Sequence, residues 1–180
     1  MSTNIISTTA KIGKNFKIGD FCKIEDGVEI GDNVEIFNYC VLKKGIKIGN
    51  NTLLKNYVEL REGTIIGNDC VIDSRVSTSG NCKIGNNVTL RYDTIIARKV
   101  EIGDNTYVSP RVMTNNLDSG KHQIGGAKIG KNCFIGTNAV IHFGINIPDN
   151  VIIGSMSFVN KDCEEGKTYI GIPAKAHEKK

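Results

Sequence analysis

The 180-residue chain contains no tryptophan, and aromatic residues make up only 6% of it. A sequence so poor in large rings suits a thin interior better than a globular core. No stretch approaches the ~20 apolar residues that a membrane span requires. The opening Met1-Ser2-Thr3-Asn4 carries neither a basic cluster nor an apolar run. The expectation is a soluble cytoplasmic protein that engages no membrane. The formal net charge of +4 is dispersed, without a Lys/Arg block before the last few residues, which argues against nucleic acid as a partner. The six cysteines form no Cys-x-x-Cys pair, and His122, His142 and His177 have no near histidine neighbours. No metal site is expected from such spacing.

What the chain does have is repetition. Ile12-Gly13, Ile30-Gly31, Ile48-Gly49, Ile66-Gly67, Ile84-Gly85 and Ile102-Gly103 recur every eighteen residues. Within that period lies one of six, carried by Ile18, Ile24, Ile36, Leu42, Leu54, Leu60 and their successors. One obligatory aliphatic per six residues fits neither a helix face nor long strand alternation. It fits a short strand and a tight turn, with three sides per circuit. The residue two before each aliphatic should also point inward. Those positions hold small or β-branched residues, among them Val28, Val34, Thr52 and Thr64. Cys22, Cys40, Cys70, Cys82, Cys133 and Cys163 share that phase, so they are expected to be buried reduced thiols rather than ligands. Gly, Asn and Asp fall at the corners, where positive φ is cheapest. About eight triangular turns stacked at strand spacing give a rod on the order of 40 Å long.

The phase slips once. After Ile102 the next Ile-Gly-x-Asn begins at Ile129, not at position 120, so nine residues are inserted between Thr114 and Gly126. A polar loop leaving a rigid scaffold is where binding and catalytic groups concentrate. If the insertion follows Asn115, that residue and His142 share a corner on adjacent turns, in a column with Ala97, Ser79 and Arg61. His142 is then a candidate base, and His122 on the loop is the second. Arg75, Asp93 and Arg111 lie eighteen apart and read as a ladder of alternating charge. Residues 1–163 are expected to form the coil, with the loop at 115–126, and residues 164–180 a terminal strand and tail.

The hexads, the single loop and the ending Ile170-Gly171-Ile172-Pro173-Ala174-Lys175 together resemble the hexapeptide-repeat acyltransferases. The residues leave the hand of the coil open; the resemblance implies a left-handed parallel β-helix, all-β, that assembles as a homotrimer and takes acyl groups from acetyl-CoA. Val112-Met113-Thr114-Asn115-Asn116-Leu117-Asp118 and the restart Gly126-Ala127-Lys128-Ile129-Gly130 are similar to the corresponding stretches of N-acetyltransferases acting on nucleotide-linked amino sugars. Asn116 stands where those relatives carry aspartate, and their Pro-Arg pair is missing.

The reaction implied is acetyl transfer from acetyl-CoA to an amine of a UDP- or dTDP-linked amino sugar, in surface-glycan precursor synthesis. His142, Asn115 and His122 are the catalytic candidates. Asn115, Asn116 and Asp118 would hold substrate. Gly136 and Gly144 are candidate backbone donors for the oxyanion. Lys128, Lys131, Lys161, Pro173 and Lys175 would line the cofactor groove between subunits. O-acetylation of a sugar or small alcohol, and a non-catalytic β-helical module, are the competing expectations.

Overall fold

The computed structural model describes residues 3–122 and 125–177. Among these it holds 27 short strands, numbered β1 to β27 in chain order, and no helix. The strands alternate among three parallel sheets of nine, eight and ten strands, here called faces A, B and C. Face A begins with β1 (Ile5–Ile6), face B with β2 (Lys11–Ile12) and face C with β3 (Lys17–Ile18). Successive strands on a face pair at an offset of eighteen, as in Ile66↔Ile84 and Ile72↔Leu90. Across the insertion the offset becomes 27 on all three faces: Ile102↔Ile129, Val108↔Ile135 and Thr114↔Ile141. The loop is therefore extruded without disturbing the register on either side.

Two side chains per strand fill the interior, as the hexad demands. Val28, Val34, Leu42, Leu54, Leu60 and Ile72 are fully buried. All six cysteines are buried and unpaired. Five of the thiols, those of Cys22, Cys40, Cys70, Cys82 and Cys133, donate to carbonyls of the next turn, as Cys40 Sγ does to Lys55 O at 2.9 Å. Inward threonines satisfy themselves likewise, Thr52 Oγ1 donating to Gly67 O at 3.0 Å.

Each corner has its own chemistry. Between faces B and C runs a column of Asn and Asp: Asn15, Asn33 and Asn51 adopt φ of 55–57°, and their amides bond one to the next at 2.9–3.0 Å. Glycine beside that column is steric necessity, because a Cβ on Gly49 would lie 2.6 Å from the Gly67 carbonyl carbon. The corner between A and B carries Gly27, Gly45 and Gly63 at φ of 65–69°. The corner between C and A instead places Phe21, Tyr39 and Tyr57 at φ of 59–61°.

The two ends differ. At the late end, β26 (Thr168–Ile170) pairs with β24 (Ile152–Ile153), and β27 (Lys175–His177) folds back on β26 antiparallel. Tyr169 points inward there and closes the core. At the early end, Ile6 and Ile12 occupy core hexad positions yet are 39% and 40% exposed, since among the described residues no circuit covers them from that side.

Candidate active site

The extruded loop joins β19 (Met113–Thr114) on face A to β20 (Lys128–Ile129) on face B. Both of its ends are tied to the same corner. At its root, the Thr114 hydroxyl accepts the Ala97 N–H at 2.7 Å, a donor that a ladder carbonyl accepts elsewhere. The Asn115 N–H donates to Ile141 O at 2.9 Å. At its return, Gly125 O accepts the Gly144 N–H at 3.2 Å. Gly126 lies so close to the Lys99–Val100 backbone that a Cβ would come within 2.3 Å of it. Gln123 and Ile124 lie outside the described residues.

Between root and return the chain closes a tight turn on itself. The Asp118 N–H donates to His122 O at 3.2 Å, and the Lys121 N–H to Asp118 O at 3.1 Å, with Lys121 at φ 64°. The Asp118 carboxylate accepts the His122 backbone N–H at 2.8 Å and meets His122 Nδ1 at 2.9 Å. Hydrogen bonds from the His122 ring and amide hold the Asp118 carboxyl below its ordinary range. With Nδ1 donating to Asp118, Nε2 is left as an acceptor facing solvent, for the ring is largely exposed. The spacing 118 to 122 could have signalled this pair; the reading of Asp118 as a substrate contact missed it.

Register sets His142 one turn below Asn115. The imidazole is half-buried against the Phe143 ring at a centroid distance of 3.9 Å, and meets the Phe158 ring edge-on at 5.5 Å. Its ring makes no hydrogen bond among the described residues, and neither do the half-buried side chains of Asn115 and Asn116. β25 (Phe158–Val159) is also where the C-terminal segment docks: Phe158 N–H donates to Gly171 O at 3.0 Å and Ala174 N–H to Phe158 O at 2.7 Å. Pro173 is thus brought beside Phe158 at the late end of face A, whereas Lys175 begins β27 on face C, paired with Ile170. Lys161 follows on the same corner, exposed. Above the docked segment, face A turns Ile95, Met113, Val140 and Phe158 outward in one column.

Other expected members stand apart. Gly136 lies at the far edge of face A, and its N–H donates to Ile153 O at 2.8 Å; the Gly144 N–H is held by Gly125 O. Neither N–H is open to an oxyanion, because each already completes a ladder or corner bond. Lys128 projects from face B. Lys131 is bound to Asp104 at 3.1 Å, which raises its pKa. Both border a groove of about 520 Å³ on face B, whose other charges include Glu101, Asp149 and Glu165. Opposed carboxylates make that groove a poor host for phosphates. Among the described residues no group of three His, Cys, Asp or Glu could hold a metal, and no helix is long and apolar enough to cross a membrane.

Comparison with known proteins places this geometry. Residues 9–44 and 63–98 match the bacterial transferase hexapeptide family (six repeats), and residues 126–160 match the hexapeptide repeat of succinyl-transferase. Galactoside O-acetyltransferase of Escherichia coli is 32% identical over 85 residues, covering 42% of each chain. A maltose O-acetyltransferase structure from Clostridium difficile superposes with a TM-score of 0.57 at 30% identity, over 66% of this chain and 70% of that one. A UDP-N-acetylglucosamine acyltransferase from Bacteroides fragilis gives a TM-score of 0.70 at 20% identity, over 98% of this chain and 73% of the other. At that identity the likeness shows the fold, a left-handed parallel β-helix. The chain matches 6%, 16% and 42% of the length of the curated relatives it resembles.

Proposed function

Because this chain belongs to the hexapeptide-repeat transferase family, we propose that it transfers an acetyl group from acetyl-CoA to a sugar hydroxyl at the corner between faces A and B. The observation that carries the reading is the Asp118–His122 pair on the one extruded loop. An alcohol is a weak nucleophile until its proton is removed as it attacks. His122 Nε2 accepts that proton, and Asp118 orients the ring and stabilises the imidazolium. The acceptor oxygen bonds to the thioester carbonyl carbon, and the tetrahedral oxyanion takes hydrogen bonds from the Asn115 and Asn116 amides. The carbon–sulfur bond then breaks, and the imidazolium returns the proton to the leaving thiolate. The O-acetyltransferases among the relatives support a hydroxyl acceptor.

The pantetheine and acetyl groups lie along the apolar column of Met113, Val140 and Phe158. The docked tail with Pro173 and Lys175, and Lys161 beside it, borders the cofactor. His142, packed on Phe143 and Phe158, shapes the floor and hydrogen-bonds substrate. A single convex rod offers no enclosing cleft, so the working unit is a homotrimer whose neighbours supply the second wall.

The second reading keeps the acceptor an amine of a nucleotide-linked amino sugar. It is favoured by Thr114-Asn115-Asn116 at the loop root, similar to loops that hold such amines. A neutral amine attacks without a protein base. Screening acetyl-CoA against sugars, UDP- and dTDP-linked amino sugars and simple alcohols, with release of the CoA thiol as readout, tests both. Turnover of a hydroxyl acceptor that falls about a hundredfold in His122→Ala supports the first reading. An amine acceptor turned over equally well by that variant establishes the second. Absence of thiol release with every acceptor overturns both.

A further inference from the structure

Cations on this rod are commonly answered by carboxylates one circuit away. Lys11 meets Glu29, Arg75 meets Asp93, Lys83 meets Glu101 and Arg91 meets Asp73, each pair eighteen residues apart. Of the remaining arginines, Arg61 takes Glu59 two residues back and Arg111 shares Asp93. Arg98 is the exception. Its register neighbours are Gly80 above and Asn116 below. Among the described residues its guanidinium forms no ion pair and no hydrogen bond.

The backbone around Arg98 departs twice from the rest of its corner, the one between faces A and B. In the circuit above, Gly80 adopts φ 100°, whereas Glu62 and Arg98, at the same station in the adjoining circuits, do not take positive φ. Gly80 is buried, and the Arg98 side chain lies over it. A Cβ on Gly80 would stand 3.4 Å from Arg98 Nη2 and 3.5 Å from Cζ. The planar end of Arg98 is thus laid against peptide backbone. Beside it stands Lys99, exposed and at φ 63°, in a column whose other left-handed members are Gly27, Gly45, Gly63, Asn81 and Gly144. A lysine in that conformation costs more than glycine or asparagine would, and strain of this kind collects at functional sites.

Both departures adjoin the extruded loop. The chain leaves the coil at Asn115, one circuit below Ala97, and Gly126 returns against the Lys99–Val100 backbone. The ladder is loosened on either side of the same corner. The Arg61 N–H is taken by the Thr78 hydroxyl at 3.1 Å, and the Ala97 N–H by that of Thr114 at 2.7 Å. Strand pairing shrinks to one residue pair at both places, Glu59↔Ser77 and Ile95↔Met113. Arg98 and Lys99 therefore hold two unmatched positive charges one circuit, ~4.8 Å, above Asn115 and Asn116. Asp118, the loop's one carboxylate, is held by His122, and Glu62 stands two circuits above Arg98 at roughly 10 Å.

We propose that Arg98 and Lys99 form an oxyanion-binding subsite, and that the acceptor is an acidic sugar whose carboxylate or phosphate they hold while a hydroxyl turns to His122. The planar fork of arginine matches two oxygens of either group and makes short, charge-assisted hydrogen bonds to them. Because the Arg98 side chain already lies along Gly80, less of its freedom remains to be lost on binding. Holding the acceptor at a second point narrows the orientations its hydroxyl can take toward the thioester. What is done to the acceptor rests on the function proposed above; the unmatched charge does not.

Binding is read first without acyl donor, by calorimetric titration with glucose, glucuronate and glucose 1-phosphate. The better of the two acids should bind at least about tenfold tighter than glucose, and its identity assigns the anion as carboxylate or phosphate. Arg98→Gln should lose that preference while keeping the circular dichroism and melting of the wild type. Gly80→Ala, which displaces the guanidinium yet keeps both charges, should lose most of it. A wild type that binds neither acid better than glucose, or an Arg98→Gln variant that retains the preference, overturns the subsite. Acetyl transfer then separates the two proposals. Turnover of a neutral sugar with no advantage for either acid leaves the function standing and removes the subsite. An Arg98-dependent preference for acid, in a protein that releases no thiol with any acceptor, keeps the subsite and removes the function.

Discussion

At the scale of single residues, the chemistry of this protein reduces to which polar groups are already engaged. Five of the six thiols are engaged with carbonyls, as Cys40 shows. Burial raises every one of their pKa values, those of Cys40 and Cys163 to about 12. A group that holds its proton more tightly when folded contributes stability below its unfolded pKa, and that contribution is lost as pH rises through the folded value. Stability should therefore be level below pH 9 and fall between there and about 12, seen as a dropping denaturant midpoint. In native protein at neutral pH a thiol-reactive dye should label almost none of the six cysteines. Asp118 has the opposite sign. Its carboxyl is depressed by His122, so the turn it closes is held above the ordinary carboxylate value and released as pH falls through the depressed one. The His122 amide shift should report that release. Asp118→Asn should lower kcat about tenfold with KM little changed, because the ring is misaligned rather than removed.

At the scale of elements, the sequence made the coil legible down to register and left the site half-legible, for a physical reason. A hexad states which side chains point inward, and an insertion of nine residues keeps the offset of 27 on all three faces. Asn115 above His142 follows from that count alone. Contacts made across space carry no period. The rings of Phe143 and Phe158 around His142, the docking of the tail on Phe158, and the closure of Asp118 on His122 all depend on how side chains lie outside the ladder. For the same reason Gly136 and Gly144 looked like free donors, although a ladder bond to Ile153 O and a corner bond to Gly125 O consume their N–H groups. The loop is nonetheless a separable element. Replacing residues 115–126 by a short corner copied from Ala97-Arg98-Lys99 should leave the far-ultraviolet spectrum and melting intact while abolishing transfer. Gly126→Ala is a subtler cut. Its Cβ meets backbone at 2.3 Å, so the loop must lift from Lys99–Val100, and transfer should fall at least tenfold in a chain that still folds.

At the scale of the whole molecule, a solenoid has no single centre. Each circuit touches only the circuits above and below, so stability is close to a sum of intrinsic and nearest-neighbour terms. Equivalent hexad positions then have unequal weights that depend on how many neighbours cover them. Leu60, in the middle of the rod, is fully buried, whereas Ile12 in the first circuit is 40% exposed at the same hexad position. Leu60→Ala deletes side-chain atoms with packed coil on both sides and should cost about 2–5 kcal/mol. Ile12→Ala removes a side chain already in contact with water on one side and should cost about 1 kcal/mol. The late end is sealed by Tyr169 and the hairpin of β26 and β27, so fraying begins at the opposite end. Denaturant midpoints of the two variants, with hydrogen exchange by circuit, check this. Equal losses would mean that the rod unfolds as one unit rather than by addition of its turns, and first opening in the circuits near Phe158 would mean that the hairpin does not seal the late end.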